Sequence, residues 1–292
     1  MLEMLKKGLV RDIYDVSDDA LVVVATDRVS ADGVLLPVKM PSKGKLVNQM
    51  SQFWYEVTKG IVPNAIIATD QELMPQVFQN EGFEGRCTLV KNTQVLPIKV
   101  FLYNFLIGSM WKEYKEKSLV TTDRTKYINV GGKDFFQGLE EGCQFSSPVM
   151  IFKAKLSDGS YKLVSESEAR KTVGGDTLEK CKSYALAAVD KCTEYARSKE
   201  IILADTQISF GRDEDGNVYA VGDFFSPDST RYWITKRGES FINYDKQIII
   251  EYLLSKGWKR GKELPPIPKS IVYKTATRYI ELYEILTGEM FV

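Results

Sequence analysis

The sequence predicts an α+β protein built mainly on antiparallel sheets. Three observations carry this. The first third is rich in short apolar β runs. Long stripes of helical period lie further along the chain. Between them, Ile202 to Trp233 reads as two apolar runs joined by a turn rich in Asp and Gly, from Arg212 to Asn217. The expected division is a β-rich unit over 1–92 and a larger α+β unit over 93–292.

The elements follow in order. Val10 to Val16 alternates like a strand, with Gly8 at its entry, and a turn at Ser17-Asp18-Asp19 returns the chain through the β run Leu21 to Ala25. Gly44 to Tyr55 is a helix with Leu46, Met50, Phe53 and Trp54 on one side. Ala65 to Thr69, Arg86 to Lys91 and Ile98 to Tyr103 are strands. Gly108 to Tyr114 opens a helix. Val120 to Pro148 carries Gly131-Gly132, Gly138 and Gly142 and reads as a loop-rich segment that could serve as a lid. Asp176-Thr-Leu-Glu179 has the spacing of a capping box, and Leu178, Cys181, Ala185, Ala188, Cys192 and Tyr195 continue a helical stripe. Asp245 to Leu254 is a further helix. Pro265, Pro266 and Pro268 break the chain before a last helix over Ser270 to Leu286.

Composition removes several function classes. The 39 basic and 39 acidic side chains cancel, so no polyanion-binding surface is expected and nucleic acid is not a partner. No apolar run reaches membrane-span length, and the expectation is a cytoplasmic protein. Cys181 and Cys192 fall on one helix about 16 Å apart, too far for a disulfide, and the four cysteines read as reduced thiols. The chain has no histidine. Ser-His-Asp and Cys-His nucleophiles, His-ligated zinc and a histidine base are therefore excluded. Catalysis must use carboxylates, Lys, Arg, Tyr, Cys, backbone amides or a metal.

Ile202 to Trp233 offers such groups. Its two runs carry Asp205 and Asp223, and Ser226-Pro-Asp-Ser-Thr-Arg231 follows with hydroxyls, a carboxylate and a guanidinium. Paired strands would put the acids on one sheet, where Mg²⁺ could be held with a nucleotide phosphate, or they are the solvated ends of an ordinary hairpin. Asp228, Arg231 and the hydroxyls could grip a phosphate or carboxylate.

The chain resembles the SAICAR synthetase family of purine biosynthesis. The resemblance runs in order through GLVRDIYDV (Gly8 to Val16), ATDRVSA (Ala25 to Ala31), PSKGKLVNQMSQFWY (Pro41 to Tyr55), RCTLVKNTQVLPIKV (Arg86 to Val100) and IGSMWKEY (Ile107 to Tyr114). It continues through GLEEGCQF, ILADTQISFG, GDFFSPDSTRYW, YDKQ and the helix ending in YEILTG. It implies an ATP-grasp-like fold with the nucleotide between a small β domain and a larger one. It also implies a ligase that activates a carboxylate with ATP and Mg²⁺, as an acyl phosphate, for attack by an amine. Small carboxylic acids and amines would be the partners, and a homo-oligomer is admitted. Carried over by position, Arg11 would face the ATP phosphates, Lys91 would lie near the adenine, and Asp205 and Asp223 would serve metal and phosphates. Asp223 would be the metal ligand. Ser30, Ser109, Asp228 and Arg231 would hold substrate, with Lys45 and Lys246 as weaker candidates.

The departures concentrate in the site. Leu9 stands where the family has lysine, and in Ser30-Ala31-Asp32-Gly33 the family's acid is absent or displaced by one place. Tyr103 replaces an arginine, Gln207 a lysine and Ser209 a glutamate, while Ile151 to Ser167 replaces a Pro-Ser-Thr-Lys segment. Each lost charge-assisted hydrogen bond is worth roughly 1.5–3 kcal/mol. Tyr103 and Phe105 would give the pocket an aromatic lining, and Tyr103 and Gln207 become substrate-binding candidates in altered form. Three functions remain: an amide ligase with changed, less anionic substrates; orthodox joining of CAIR to L-aspartate; and a non-catalytic relative that binds a nucleotide or partner protein.

Overall fold

Runs of period two build two antiparallel sheets, and the chain passes from one to the other at Asn92-Thr93. The computed structural model describes residues 3–120, 127–157, 159–234 and 241–292. The first sheet has the order β1-β2-β3-β7-β6, from β1 (Met4–Lys7), β2 (Arg11–Ser17), β3 (Ala20–Ala25), β6 (Ile66–Ala68) and β7 (Cys87–Lys91). Between β3 and β6 come a hairpin, β4 (Arg28–Ala31) and β5 (Val34–Lys39), and helix α1 (Lys43–Val57). Asp32 and Gly33 both have positive φ at the hairpin tip, the two-residue Asp-Gly turn that matches strand twist.

The second sheet starts with β8 (Gln94–Phe105), twice the length expected. Pro97 obscured its start; it falls where the ladder to its neighbour shifts register, so its missing N–H is tolerated. Helix α2 (Gly108–Val120) follows, then β9 (Ile128–Val130), β10 (Lys133–Phe135), β11 (Gln144–Lys155) and β12 (Tyr161–Val164). After α3 (Glu166–Val173) and α4 (Gly175–Ser198) come β13 (Ile201–Arg212), β14 (Val218–Val221), β15 (Thr230–Ile234) and β16 (Ile242–Asn243), then α5 (Gln247–Ser255) and α6 (Lys269–Thr287). The order is β12-β11-β8-β13-β15-β16, with β14 paired to β13.

Two expectations need correction. Much of the stretch expected to be loop is ordered structure. The β9–β10 hairpin and the start of β11 lie within it, and Tyr114 on α2 pins it by donating to the Phe136 carbonyl and accepting from the Leu139 N–H. Residues 121–126 of that stretch lie outside the described residues. The capping box also belongs elsewhere. Ser165 caps α3 with Glu168, while α4 starts after Gly174 at φ 90° with no side-chain cap. Asp176 already lies inside α4, and Glu179 is taken by Arg170 and Lys182.

One face of the large sheet carries the main core. Ile208 and Phe210 of β13 join Leu178, Cys181, Ala185 and Cys192 of α4, as the stripe predicts. Met50 and Trp54 of α1 belong to the same cluster, so α1 anchors the small sheet to the large one. On the opposite face Tyr103 and Ile151 join a second core cluster with Met110 and Tyr114 of α2, and Lys99, Lys153 and Gln207 stand beside it.

Candidate functional site

Strand alternation sends residues i and i+2 to one face, and the ladders align these residues across β11, β8, β13 and β15. Three rows result. The first is Lys153, Lys99 and Ser209; the second Ile151, Phe101 and Gln207; the third Val149, Tyr103, Asp205 and Arg231. The alternate β13 residues, Thr206, Ile208 and Phe210, point into the core and are buried.

Ser209 of the first row lines a cavity of about 250 Å³ between the two sheets. Ile13, Leu21, Val23 and Val90 from the small sheet give it an apolar wall, and Lys91, Ser209 and Asp223 line its rim. Arg11 Nη2 closes one end by donating to Asp223 Oδ1 at 3.1 Å, where Ser51 Oγ also lies at 3.3 Å. Lys91 Nζ sits 4.9 Å from the Tyr219 ring centroid, a cation–π contact. Arg11, Lys91 and Asp223, expected to share a nucleotide site, thus do line one cavity. A larger groove of about 810 Å³, bordered by Asn104, Glu194 and Arg197, takes in Phe105 but none of the charged or hydroxyl residues singled out from the sequence.

The third row is organised around an ion pair. Arg231 Nη1 donates to Asp205 Oδ2 at 2.5 Å and Nε to Gln247 Oε1 at 3.2 Å. Burial raises the Asp205 pKa despite Arg231 and Lys153. Burial opposes the Arg231 charge, yet Asp205 and Asp245 hold its pKa up. Gly108 has φ +59°, and a Cβ there would stand 2.5 Å from Arg231 Nη1, so only glycine lets the turn before Ser109 approach the guanidinium. Ser109 Oγ meets the Tyr103 hydroxyl at 3.0 Å and accepts from Lys153 Nζ at 3.1 Å.

Several expected site residues are placed differently. Asp205 and Asp223 are each matched with their own arginine, and among the described residues no group of three or more His, Cys, Asp or Glu side chains is placed to hold a metal ion. Asp228 is buried against Lys43, and the Tyr279 hydroxyl donates to it at 2.8 Å. Burial alone would raise its pKa, but Lys43 and Lys246 bring it down to about 2. Its carboxylate is thus engaged by Lys43 of α1 and Tyr279 of α6. Tyr103 is buried except where its hydroxyl reaches Ser109, and Phe105 packs on Trp233 at 5.0 Å between centroids. Phe101 and Tyr161 are half-buried aromatic rings on this face. Lys45 pairs with Glu84 at 2.9 Å, on the small sheet's side. Ser30 sits half-buried on β4, opposite Leu35. Lys246 stands at the start of α5, where its charge acts on Lys99.

The sequence reading missed four charged residues. Lys43 is the buried partner of Asp228. Asp245, inside the YDKQ motif, accepts from the backbone N–H of Tyr232 and of Gln247, and burial pushes its pKa up to about 7 against the pull of Arg231. Lys99 and Lys153 are the other two. Burial, with the like charge of Lys246, takes Lys99 down to about 8 although Asp223 opposes this. Burial lowers Lys153 as well, against Asp205 and Asp32. The Ser-x-x-Glu spacing could have revealed the α3 cap, but no local signal marks either lysine.

The SAICAR synthetase family model matches residues 4–265. A phosphoribosylaminoimidazole-succinocarboxamide synthase of Thermodesulfovibrio yellowstonii is 35% identical over 98% of this chain and 96% of its own length. The enzyme of that name from Pichia angusta is 33% identical over 99% and 96%. Among solved structures, the SAICAR synthase of Saccharomyces cerevisiae complexed with SAICAR superposes with a TM-score of 0.82 at 31% identity, covering 99% of this chain and 96% of that one.

Proposed function

The chain belongs to the SAICAR synthetase family, and from that premise we propose an ATP-dependent ligase that joins a carboxylic acid to an amine through an acyl phosphate, with an acid pocket altered from the family pattern. The observation that carries this is the cavity closed by Arg11 and Asp223, whose lining reaches Ser209 at the edge of the polar rows of the large sheet. Adenosine fits the apolar wall, and the phosphates fall toward Arg11. We read residues 1–92 as the part that covers the nucleotide and 93–292 as the part that holds the acid.

The donor set at Asp223 suits Mg²⁺. Mg²⁺ needs only one or two protein carboxylates when phosphates supply other ligands. Asp223 Oδ1 is occupied by Arg11 and Ser51, which leaves Oδ2 for a metal. Bound there, the ion would neutralise phosphate charge during transfer. Arg11 draws the γ-phosphate toward the sheet face. A carboxylate oxygen of the acid attacks phosphorus and ADP departs; the amine nitrogen then attacks the acyl carbon and phosphate leaves. Asp205 acts as a positioning residue that orients Arg231, and Ser109 offers the acid a hydroxyl.

Tyr103, Gln207 and Ser209 support a changed acid substrate, because they remove charged side chains from all three rows. Lys99 and Lys153 favour a second reading, orthodox joining of CAIR to L-aspartate, because they return two positive charges to the same face. A screen of acid and amine pairs for ATP consumption, with mass spectrometry of products, tests the ligase reading. Calorimetry should show Mg·ATP binding, weakened about tenfold or more in Asp223→Ala as a charge-assisted contact is lost. No binding at millimolar Mg·ATP would sink the proposal.

A further inference from the structure

We propose that Lys99 and Lys153 form a seat for an oxyanion of the acid substrate, separate from the carboxylate being activated. The inference rests on the ligase reading for the identity of that substrate, though not for the existence of the seat. The two lysines are direct ladder partners on β8 and β11, half-buried in the row that leads from the nucleotide cavity. Their tips each rest on an aromatic ring of this face. Lys153 Nζ lies 4.4 Å from the Phe101 ring centroid, and Lys99 Nζ lies 4.8 Å from that of Tyr161.

Among the described residues, neither lysine has an ion-pair partner. Their hydrogen bonds go to neutral groups, Gln207 Oε1 at 3.4 Å and Ser109 Oγ at 3.1 Å. The acids that act on them are Asp223, Asp205, Asp32 and Glu113. Asp223 is held by Arg11, Asp205 by Arg231 and Glu113 by Lys117, while Asp32 sits exposed at its hairpin tip. Two adjacent ammonium groups that are partly desolvated and uncompensated are unfavourable in the free protein. A bound oxyanion reverses that balance, with Ser109 and Gln207 as neutral donors beside it. A phosphate monoester and a second carboxylate share this chemistry.

The test uses the intact protein saturated with the non-hydrolysable nucleotide AMP-PNP, titrated in parallel with inorganic phosphate and with succinate. Wild type should bind at least one; phosphate alone marks a phosphate monoester and succinate alone a carboxylate. Lys99→Met and Lys153→Met should each weaken that anion about 10- to 100-fold, with AMP-PNP affinity unchanged within about threefold. Both variants should also melt at or above the wild-type temperature, because a desolvated charge has been removed. Lys99→Arg and Lys153→Arg should restore most of the binding. The seat is refuted if wild type binds neither anion at tens of millimolar, if the methionine variants bind as wild type does, or if they melt lower, which would make the lysines structural. Equal weakening of AMP-PNP and anion would assign the lysines to the nucleotide instead. Failure of the ligase reading looks different: AMP-PNP would not bind, yet anion binding would still depend on the two lysines.

Discussion

The charges of this molecule divide into two regions of opposite character. At the nucleotide end, along the third row and behind α1, three cations drawn toward the core are answered: Arg11 by Asp223, Arg231 by Asp205, Lys43 by Asp228. On the first row, Lys99 and Lys153 meet only neutral groups. Answered charges fix geometry, because removing either partner strands the other in low dielectric. Unanswered charges reduce stability and wait for a ligand. The difference separates scaffold from substrate contact on a face where residue type alone does not.

The contrast can be broken most severely at Lys43. Lys43→Met leaves Asp228 buried and unpaired, and should cost about 3–5 kcal/mol in chemical denaturation. The pair also sets an acid limit. Asp228 is held down to about 2, so its contribution is present above the ordinary carboxylate range and is lost as pH falls toward 2. Stability measured from pH 5 to 2 should fall in wild type more steeply than in Asp228→Asn.

Asp245 sharpens the contrast from the other side, as an acid whose burial outweighs its partners. Its pKa is raised to about 7, so its favourable contribution is complete below the unfolded value and is lost as pH rises through 7. Asp245→Asn should therefore gain on wild type between about pH 4 and 7, by on the order of a few kcal/mol. A pH-independent difference between the two would contradict the assignment. The smallest effect is expected at Gly108. Gly108→Ala places a methyl against Arg231 in a left-handed turn, at about 1–2 kcal/mol. It should raise the KM of the acid more than that of ATP.

Features carried by contiguous residues were legible in the sequence. The antiparallel sheets, the α1 and α4 stripes and the run of family motifs all lie within short windows, where period and spacing are read directly. The cavity residues Arg11, Lys91 and Asp223 were legible too, through motif position. Features made by register were not. Lys99 reads as one lysine in a strand, and its meaning appears only when β11 brings Lys153 beside it and β13 brings Ser209. Lys153 lies in the Ile151 to Ser167 segment, where the family pattern gave no guide. Asp228 misled for the converse reason: its hydroxyl-rich loop suggests a ligand, while its partners Lys43 and Tyr279 come from distant helices.

Cationic charge is thus absent at Tyr103 and Gln207, where the sequence resemblance leads one to expect it, and present on the first row. An acid shaped for the family's arrangement should be held poorly. The most direct measurement is a steady-state assay with CAIR, L-aspartate and Mg·ATP, run beside an orthodox family enzyme. Wild type should turn over at least about 100-fold more slowly in kcat/KM, as expected from the loss of two or more charge-assisted contacts. The triple variant Tyr103→Arg, Gln207→Lys, Ser209→Glu should lower the KM for CAIR. Turnover by wild type at the rate of the orthodox enzyme would contradict the altered acid site and restore the standard reaction.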